Sequence, residues 1–258
     1  MLAIPLYDDN PTTRPPLVTV GLIATCGAVF LWQLGLTASA SDDAAFSYGM
    51  VPAVLFGYAD LPAGLKAVPS TATLVTSMFL HGGWAHLLGN MLYLWLFGKG
   101  VESALGPARF LALYLICGVA AALTQAFVDP AAEVPMIGAS GAIAGVLGAY
   151  LVLHPHANVT VFVWILVFVR LVALRATFLL GLWFALQLLS ALAMEPGEPG
   201  VAFWAHVGGF LVGVALVLVF RPHGVAVLRP ARSAPFAIAS PRAARQRGSV
   251  PPAGRPPR

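Results

Sequence analysis

The chain alternates long apolar stretches with short polar connections along most of its 258 residues. Leu17 to Leu36 is the first such stretch, an uncharged run of 20 residues that is long enough to cross a lipid bilayer as a helix. Further apolar stretches follow, and glycine, proline or charged residues separate them. The pattern predicts six transmembrane helices, at residues 17–36, 84–98, 110–128, 140–153, 176–194 and 201–220.

Three connections carry signals of their own. Residues 37–70 form a long loop with scattered aliphatic and aromatic side chains, which favours a segment lying in the membrane interface. Val159 to Val169 is apolar and rich in β-branched residues, but its 11 residues are too few to cross alone, so we predict an interfacial or re-entrant connection. Glu195 to Gly200 combines proline with glycine and predicts a flexible turn.

The composition indicates burial in lipid. Hydrophobic residues make up 59% of the chain and charged residues only 9%, whereas a soluble domain carries about a quarter charged residues. We therefore predict an all-α polytopic membrane protein with a six-transmembrane-helix bundle. Its parts are an N-terminal cytoplasmic segment at 1–16, the membrane domain at 17–221 and a disordered, basic Pro/Arg-rich cytoplasmic tail at 222–258.

The distribution of charge predicts the orientation. With six spans, 13 of the 14 lysines and arginines fall on the side that holds both termini, and the opposite side holds only Lys66. Basic residues collect on the cytoplasmic side, so we expect a multi-pass protein of a bacterial plasma membrane with both termini in the cytoplasm. A net charge of +4 without a basic patch interleaved with aromatics does not indicate nucleic-acid binding. The basic tail suits either attraction to anionic lipid headgroups or simple solvation.

A serine lies at the start of the fourth predicted span. Ser140 stands in the sequence Gly138-Ala139-Ser140-Gly141. A serine at this position is often a helix N-cap, but the flanking glycines leave the hydroxyl uncrowded and allow a substrate backbone to approach. The helix N-terminus also offers free N–H groups to a developing oxyanion. Ser140 is therefore either a cap or a candidate nucleophile.

A histidine lies among small residues in the sixth predicted span. His206 is followed by Gly209 and Gly213, and Gly141 and Gly145 form a matching stripe in the fourth span. Such stripes let membrane helices pack closely. If the two stripes face each other, His206 lies at the level of the serine that begins the fourth span, as general-base activation requires. A polar contact between helices is the alternative interpretation of His206.

Two polar side chains share one face of the second predicted span. His86 and Asn90 are four residues apart, and both can donate hydrogen bonds to a tetrahedral oxyanion. His81 with His86 offers the alternative of a metal site, although no carboxylate or thiolate is available at that depth to complete it. No aspartate or glutamate falls inside any predicted span, so a serine–histidine pair is expected to act as a dyad.

These segments together resemble the rhomboid family of intramembrane serine proteases. The resemblance rests on His81 to Asn90, on Gly138 to Gly141, and on Ala205-His206 with the two spaced glycines after it. The order and spacing of the six spans, over residues 17–221, agree with that family. The resemblance implies an endopeptidase that needs no cofactor and cleaves transmembrane segments of other membrane proteins.

The resemblance also implies roles for individual residues. Ser140 would be the nucleophile and His206 the general base. His86 and Asn90, with the backbone N–H of Ser140, would form the oxyanion hole. Trp183, on the fifth span, would be a candidate for the lateral substrate gate.

Other positions follow the resemblance with one departure. Glu102 would be structural, residues 37–70 would form a membrane-embedded first loop, and Glu195–Gly200 would be a mobile cap over the site. Some rhomboids carry a tyrosine one helical turn after the nucleophile, stacked on the histidine, and here that position is Ala144. The support of the histidine is therefore an open question.

Two other classes of function stay open. A catalytically silent rhomboid-like protein that binds membrane clients is expected to lack the catalytic residues, and both the serine and the histidine are present. A transporter or channel needs polar residues through the full depth of its spans or an inverted repeat, and the sequence has neither. The oligomeric state is not indicated.

Overall fold

A computed structural model of the chain describes residues 2–10, 12–165, 167–194, 200–231 and 233. Its strands are β1 Leu2–Asp8, β2 Asn158–Ile165 and β3 Phe168–Arg175. Its helices are α1 Leu17–Leu34, α2 Ala38–Tyr48, α3 Pro52–Leu55, α4 Thr73–Thr76, α5 Trp84–Tyr93, α6 Lys99–Leu105, α7 Pro107–Val128, α8 Ser140–Leu153, α9 Ala176–Ala193 and α10 Phe203–Phe220. Short 3-10 turns lie at Ala63–Leu65, Ser70–Ala72 and Ser77–Phe79, and a π-helical turn at Leu94–Gly98 joins α5 to α6.

The helical membrane bundle predicted from the apolar pattern is confirmed. Within the described residues, the four helices α1, α7, α9 and α10 have the length and composition to cross a bilayer on their own. The fourth predicted span, α8, is a shorter apolar helix of 14 residues. The second predicted span is longer than expected, because the helical run that begins with α5 continues through the π-helical turn and α6 to Leu105.

The helix α8 lies at the centre of the bundle, packed against α7 and α10. A Cβ added to Gly209 of α10 would collide with the carbonyl oxygen of Gly141, and one added to Gly213 would collide with that of Gly145. The two stripes of small residues therefore face each other. This close approach leaves no room for a larger residue at either position of α10.

The structure also contains a three-stranded antiparallel sheet in the order β1-β2-β3. Strands β2 and β3 connect α8 to α9 along the chain. Residues 159–165 and 168–169 belong to strands β2 and β3, so this connection between α8 and α9 is β-structure, and its interfacial position stays a prediction. The N-terminal segment 1–16 contributes the edge strand β1. Val159 and Val161 of β2 are buried in the core of the bundle, which explains the β-branched residues of this stretch.

Glu102 connects α6 to the beginning of α1. Its carboxylate accepts hydrogen bonds from the N–H groups of Val18 and Thr19, at 2.9 and 2.8 Å, and from the Thr19 hydroxyl at 2.7 Å. Glu102 is only 1% exposed. Because Pro16, the residue before α1, has no side-chain group to cap the helix, the distant carboxylate satisfies the first N–H groups instead.

The first residues after α10 return to the bundle. The N–H of Leu228 donates to the carbonyl oxygen of Val152, and the N–H of Arg229 donates to that of Leu153, at the end of α8. The expectation of disorder from residue 222 onward is therefore wrong for 222–231. The remainder of the predicted tail, at 234–258, lies outside the described residues.

Candidate active site

Ser140 is the first residue of α8. The turn before it depends on Gly138, whose φ of +121° is unfavourable for residues with a side chain and whose N–H donates to the Ser77 carbonyl oxygen at 2.8 Å. Two backbone hydrogen bonds between Met50 and Met136 attach the first loop to the same segment. Because Ser140 begins the helix, its backbone N–H has no acceptor within α8.

His206 lies against the hydroxyl of Ser140. Its Nε2 is 2.8 Å from Ser140 Oγ, and the residue is 8% exposed. The close packing of α10 on α8, which depends on Gly209 and Gly213, brings the first turn of α10 to the N-terminus of α8. At this distance the hydroxyl proton can pass to the imidazole as the oxygen attacks an electrophile.

The other edge of the imidazole is supported by α9. The Oε1 atom of Gln187 is 2.7 Å from His206 Nδ1. Trp183, one helical turn earlier, lies with its ring centroid 5.9 Å from that of His206 and 6.2 Å from that of Phe210. Ala144 is fully buried and offers no ring to the histidine. The ring of His206 is therefore contacted by Gln187 and Trp183 of α9 and by the edge of Phe203 on its own helix, 6.4 Å between centroids.

His86 and Asn90 present hydrogen-bond donors to one space beside Gly138. His86 Nδ1 accepts from the N–H of Gly82 at 3.3 Å, which leaves Nε2 to carry the ring proton. A Cβ added to Gly138 would lie 2.6 Å from His86 Nε2 and 3.8 Å from Asn90 Nδ2. Asn90 Nδ2 is buried and has no hydrogen-bond partner among the described residues. These two donors can bind an oxygen that gains negative charge in this space.

The glycines predicted for helix packing divide into two groups. Gly141 and Gly145 contact α7 as well as α10, because a Cβ on the first would lie 2.6 Å from Ala121 Cβ and one on the second would collide with Cys117. Gly138 differs, since it precedes the helix and lies against the His86 ring. A glycine is needed at this position because of its positive φ and its contact with the His86 ring, and not because of helix packing.

A cavity of about 420 Å³ opens beside Ser140. His86 also lines it, and small residues from two helices, Gly118, Ala121 and Ala142, form part of its wall. The cavity therefore has room for a side chain next to Ser140. The similar cavity in the first loop, about 430 Å³, has none of these polar groups in its lining.

His81 contributes to the structure around the site. Its N–H donates to Gln33 Oε1 of α1 at 3.0 Å, and its Nδ1 lies 3.2 Å from the Phe79 carbonyl oxygen. Burial, with the nearby His86 as a smaller cause, lowers the pKa of His81 to about 4, so the ring is neutral at pH 7. In the part of the chain that the structure describes, no three His, Cys, Asp or Glu side chains form a metal-binding group.

A protein-family model described as "Rhomboid domain" matches residues 69–223, which is more than half of the chain. The chain belongs to the rhomboid family. Ser140, His206 and the side chains that surround them on α5 and α9 lie inside the matched range, whereas α1, which carries Gln33, and β1 precede it.

The similar proteins come from a fungus, a plant and a bacterium. The chain is 34% identical over 151 residues to "Rhomboid protein 1, mitochondrial" of Saccharomyces cerevisiae, which covers 57% of this rhomboid and 41% of the yeast protein. It is 35% identical over 152 residues to "RHOMBOID-like protein 5" of Arabidopsis thaliana, and the alignment covers 58% of this chain and 44% of the plant protein. "Rhomboid protease GluP" of Bacillus subtilis is 45% identical over 78 residues, which cover 30% of this chain and 15% of the bacterial protein. The aligned stretch is less than half the length of each of these relatives.

One residue of the site was missed by the sequence analysis. Gln187 is the single carboxamide in the fifth predicted span, and a lone glutamine at membrane depth indicates a polar partner. That signal was present, but it did not identify the partner as His206. The predicted cap at Glu195–Gly200 lies outside the described residues except for Gly200.

Proposed function

We propose that this rhomboid is an intramembrane serine endopeptidase that cleaves transmembrane segments of other membrane proteins. Ser140 would be the nucleophile and His206 the general base. The observation that supports this best is the 2.8 Å contact between Ser140 Oγ and His206 Nε2, with the His86 and Asn90 donors beside it. A protein that only binds membrane clients has no need of this combination.

The proposed reaction has two stages. Ser140 Oγ attacks the carbonyl carbon of the scissile bond while its proton passes to His206 Nε2. The carbonyl oxygen becomes negatively charged and accepts hydrogen bonds from His86 Nε2, Asn90 Nδ2 and the Ser140 N–H. Collapse breaks the C–N bond, and His206 returns the proton to the leaving amine. Water then attacks the ester while His206 takes its proton, which releases the carboxylic acid and restores the serine hydroxyl.

Ser140 and His206 lie on the apolar helices α8 and α10, which supports a membrane-embedded substrate. The cavity beside Ser140 leaves space for a side chain next to the cleaved bond. Trp183 stays the proposed gate residue, because its ring covers His206 from the side of α9 and would have to move if a substrate entered there. The concentration of basic residues on one side supports an orientation with both termini in the cytoplasm.

The test uses the purified full chain in proteoliposomes with a fluorescent transmembrane peptide as the substrate. We expect cleavage, together with covalent labelling by a fluorophosphonate probe. Both should be abolished in Ser140→Ala and His206→Ala, whereas the control Ser190→Ala on α9 should retain both. Thermal unfolding of each variant in detergent will show that the substitutions leave the fold intact.

Two results would overturn the proposal. One is cleavage or labelling of the Ser140→Ala variant at the wild-type rate. The other is a wild-type protein that binds the peptide but neither cleaves it nor reacts with the probe. The second result would favour a protein that holds membrane clients without catalysis.

A further inference from the structure

The described part of α9 contacts the imidazole of His206 through two side chains of one helical face. Trp183 and Gln187 are four residues apart, and both point towards the first turn of α10. The distance of 2.7 Å between Gln187 Oε1 and His206 Nδ1 is that of a good hydrogen bond. The two ring nitrogens of His206 therefore have different partners, Gln187 Oε1 at Nδ1 and Ser140 Oγ at Nε2.

The nature of those partners determines which ring nitrogen carries the proton. The Oε1 atom of Gln187 is an amide oxygen, which accepts hydrogen bonds and cannot donate them. With the amide in this orientation, His206 Nδ1 carries the proton of the neutral ring. Nε2 is left with its lone pair directed at Ser140 Oγ, 2.8 Å away, which is the arrangement that a general base needs.

The same contact can act during the reaction. When His206 accepts the serine proton, the ring becomes positively charged and the Nδ1–H bond to Gln187 strengthens, as charge-assisted hydrogen bonds do. The amide oxygen therefore holds the ring in position before the transfer and stabilises the charged ring after it. An apolar side chain of the same length would fill the space without doing either.

We propose that Gln187 is a positioning residue that holds His206 in the tautomer and orientation of a general base. This inference rests on the proposed function of the Ser140–His206 pair and extends it by a third side chain. Gln187 does not touch the substrate, so its loss should lower the rate of the chemical step and leave substrate binding unchanged.

The experiment compares Gln187→Met with Gln187→Glu in the proteoliposome assay. Methionine has a similar length and no acceptor oxygen, so kcat should fall by about 10- to 100-fold, the size of effect seen when a metal-binding histidine loses the partner that orients it, with KM unchanged. Glutamate keeps a carboxyl oxygen at the same place in either protonation state and should restore most of kcat. Gln125→Met makes the same change on α7, at a side chain whose Oε1 accepts no hydrogen bond within the described residues, and should leave kcat unchanged.

A spectroscopic measurement tests the same inference without catalysis. Nitrogen-15 NMR of histidine-labelled protein, with the His206 signal assigned by its loss in His206→Ala, should show the proton on Nδ1 in the wild type. In Gln187→Met the signal should change to a mixture of the two tautomers. The rate of fluorophosphonate labelling should fall together with kcat.

The outcomes separate this inference from the proposed function. An active wild type with an unchanged kcat and tautomer in Gln187→Met would overturn the role of Gln187 and leave the Ser140–His206 proposal standing. A variant whose melting temperature falls and whose activity glutamate does not restore would show a purely structural role, which also overturns the inference. If the wild type itself neither cleaves nor labels, the proposed function fails and the positioning role fails with it, whichever tautomer the spectrum then shows.

Discussion

The buried carboxylate of Glu102 is expected to contribute more to stability than any other single polar side chain near the N-terminus of α1. It accepts three hydrogen bonds from Val18 and Thr19, two of them from backbone N–H groups that have no acceptor within the helix. Glu102→Ala removes all three and leaves the donors buried. At about 1.5 kcal/mol for each hydrogen bond to a charged group, the low end of the range, the loss is about 4.5 kcal/mol in the free energy of unfolding.

Two further variants make the comparison specific. Glu102→Gln keeps one neutral oxygen that can accept both hydrogen bonds of Thr19 but turns an NH₂ group towards the N–H of Val18, so we expect about half of the loss, roughly 2 kcal/mol. Ser103→Ala is the matched control, because Ser103 Oγ also accepts from a backbone N–H, that of Thr13, but at an exposed position. Its loss should stay below about 1 kcal/mol, since water replaces the serine there.

The assay is equilibrium unfolding of the purified protein in mixed micelles, followed by circular dichroism. A difference between Glu102→Ala and the wild type of less than 1 kcal/mol would refute the reasoning, because buried donors would then cost little to leave unpaired. Equal losses in Glu102→Ala and Ser103→Ala would also refute it, since burial would then make no difference. If the Glu102 carboxylate only stabilises the packing of α1, proteolytic activity at low temperature should survive in Glu102→Ala and in Glu102→Gln.

Three other predictions concern packing, the site and pH. Gly213→Ala should destabilise the bundle by about 2–3 kcal/mol in unfolding measurements, because its Cβ would collide with the Gly145 carbonyl oxygen, whereas Gly181→Ala has free space and should be neutral or slightly stabilising. Asn90→Ala should lower kcat by about 10²-fold with little change in KM, and a fall confined to KM would contradict a role for its amide in binding the oxyanion. His81 should make the free energy of unfolding pH-dependent, because burial lowers its pKa from 6.5 to about 4 in the folded protein. Its contribution is fully present above pH 6.5 and is lost as the pH falls from there towards 4, because the unfolded chain then binds a proton that the folded protein does not. The melting temperature of His81→Asn should fall less than that of the wild type over this range, and equal falls would contradict the burial effect.

The helices and most of the site could be predicted because each has a local signal. An apolar run such as 17–36 indicates a span by its own length, and α1 indeed occupies Leu17–Leu34. The glycines around Ser140 and after His206 indicated close packing before the partner helix was known. The structure brings Ser140 and His206 together, because consecutive helices joined by short connections leave few alternative arrangements.

The sheet could not be predicted in the same way. Its edge strand pairs Leu2 with Trp164, which are 162 residues apart, and no local pattern connects the two segments. Residues 159–169 lack a regular alternation of apolar and polar residues, because several side chains on both faces of the hairpin are apolar. Pairing with the N-terminal strand decides the conformation of this stretch, and nothing in the stretch itself indicates that partner.

The contact of Gln187 with His206 also depends on a quantity that the sequence does not specify, the rotation of α9 about its axis. A lone glutamine can turn towards lipid, towards another helix or towards the site, and only the packed structure selects among them. Its chemical type nevertheless suits the position. An ionised carboxylate here would lose its hydration, which costs several kcal/mol inside a protein. A neutral amide accepts the same hydrogen bond without that cost, so a histidine buried at membrane depth can be oriented by glutamine where an aqueous enzyme uses aspartate.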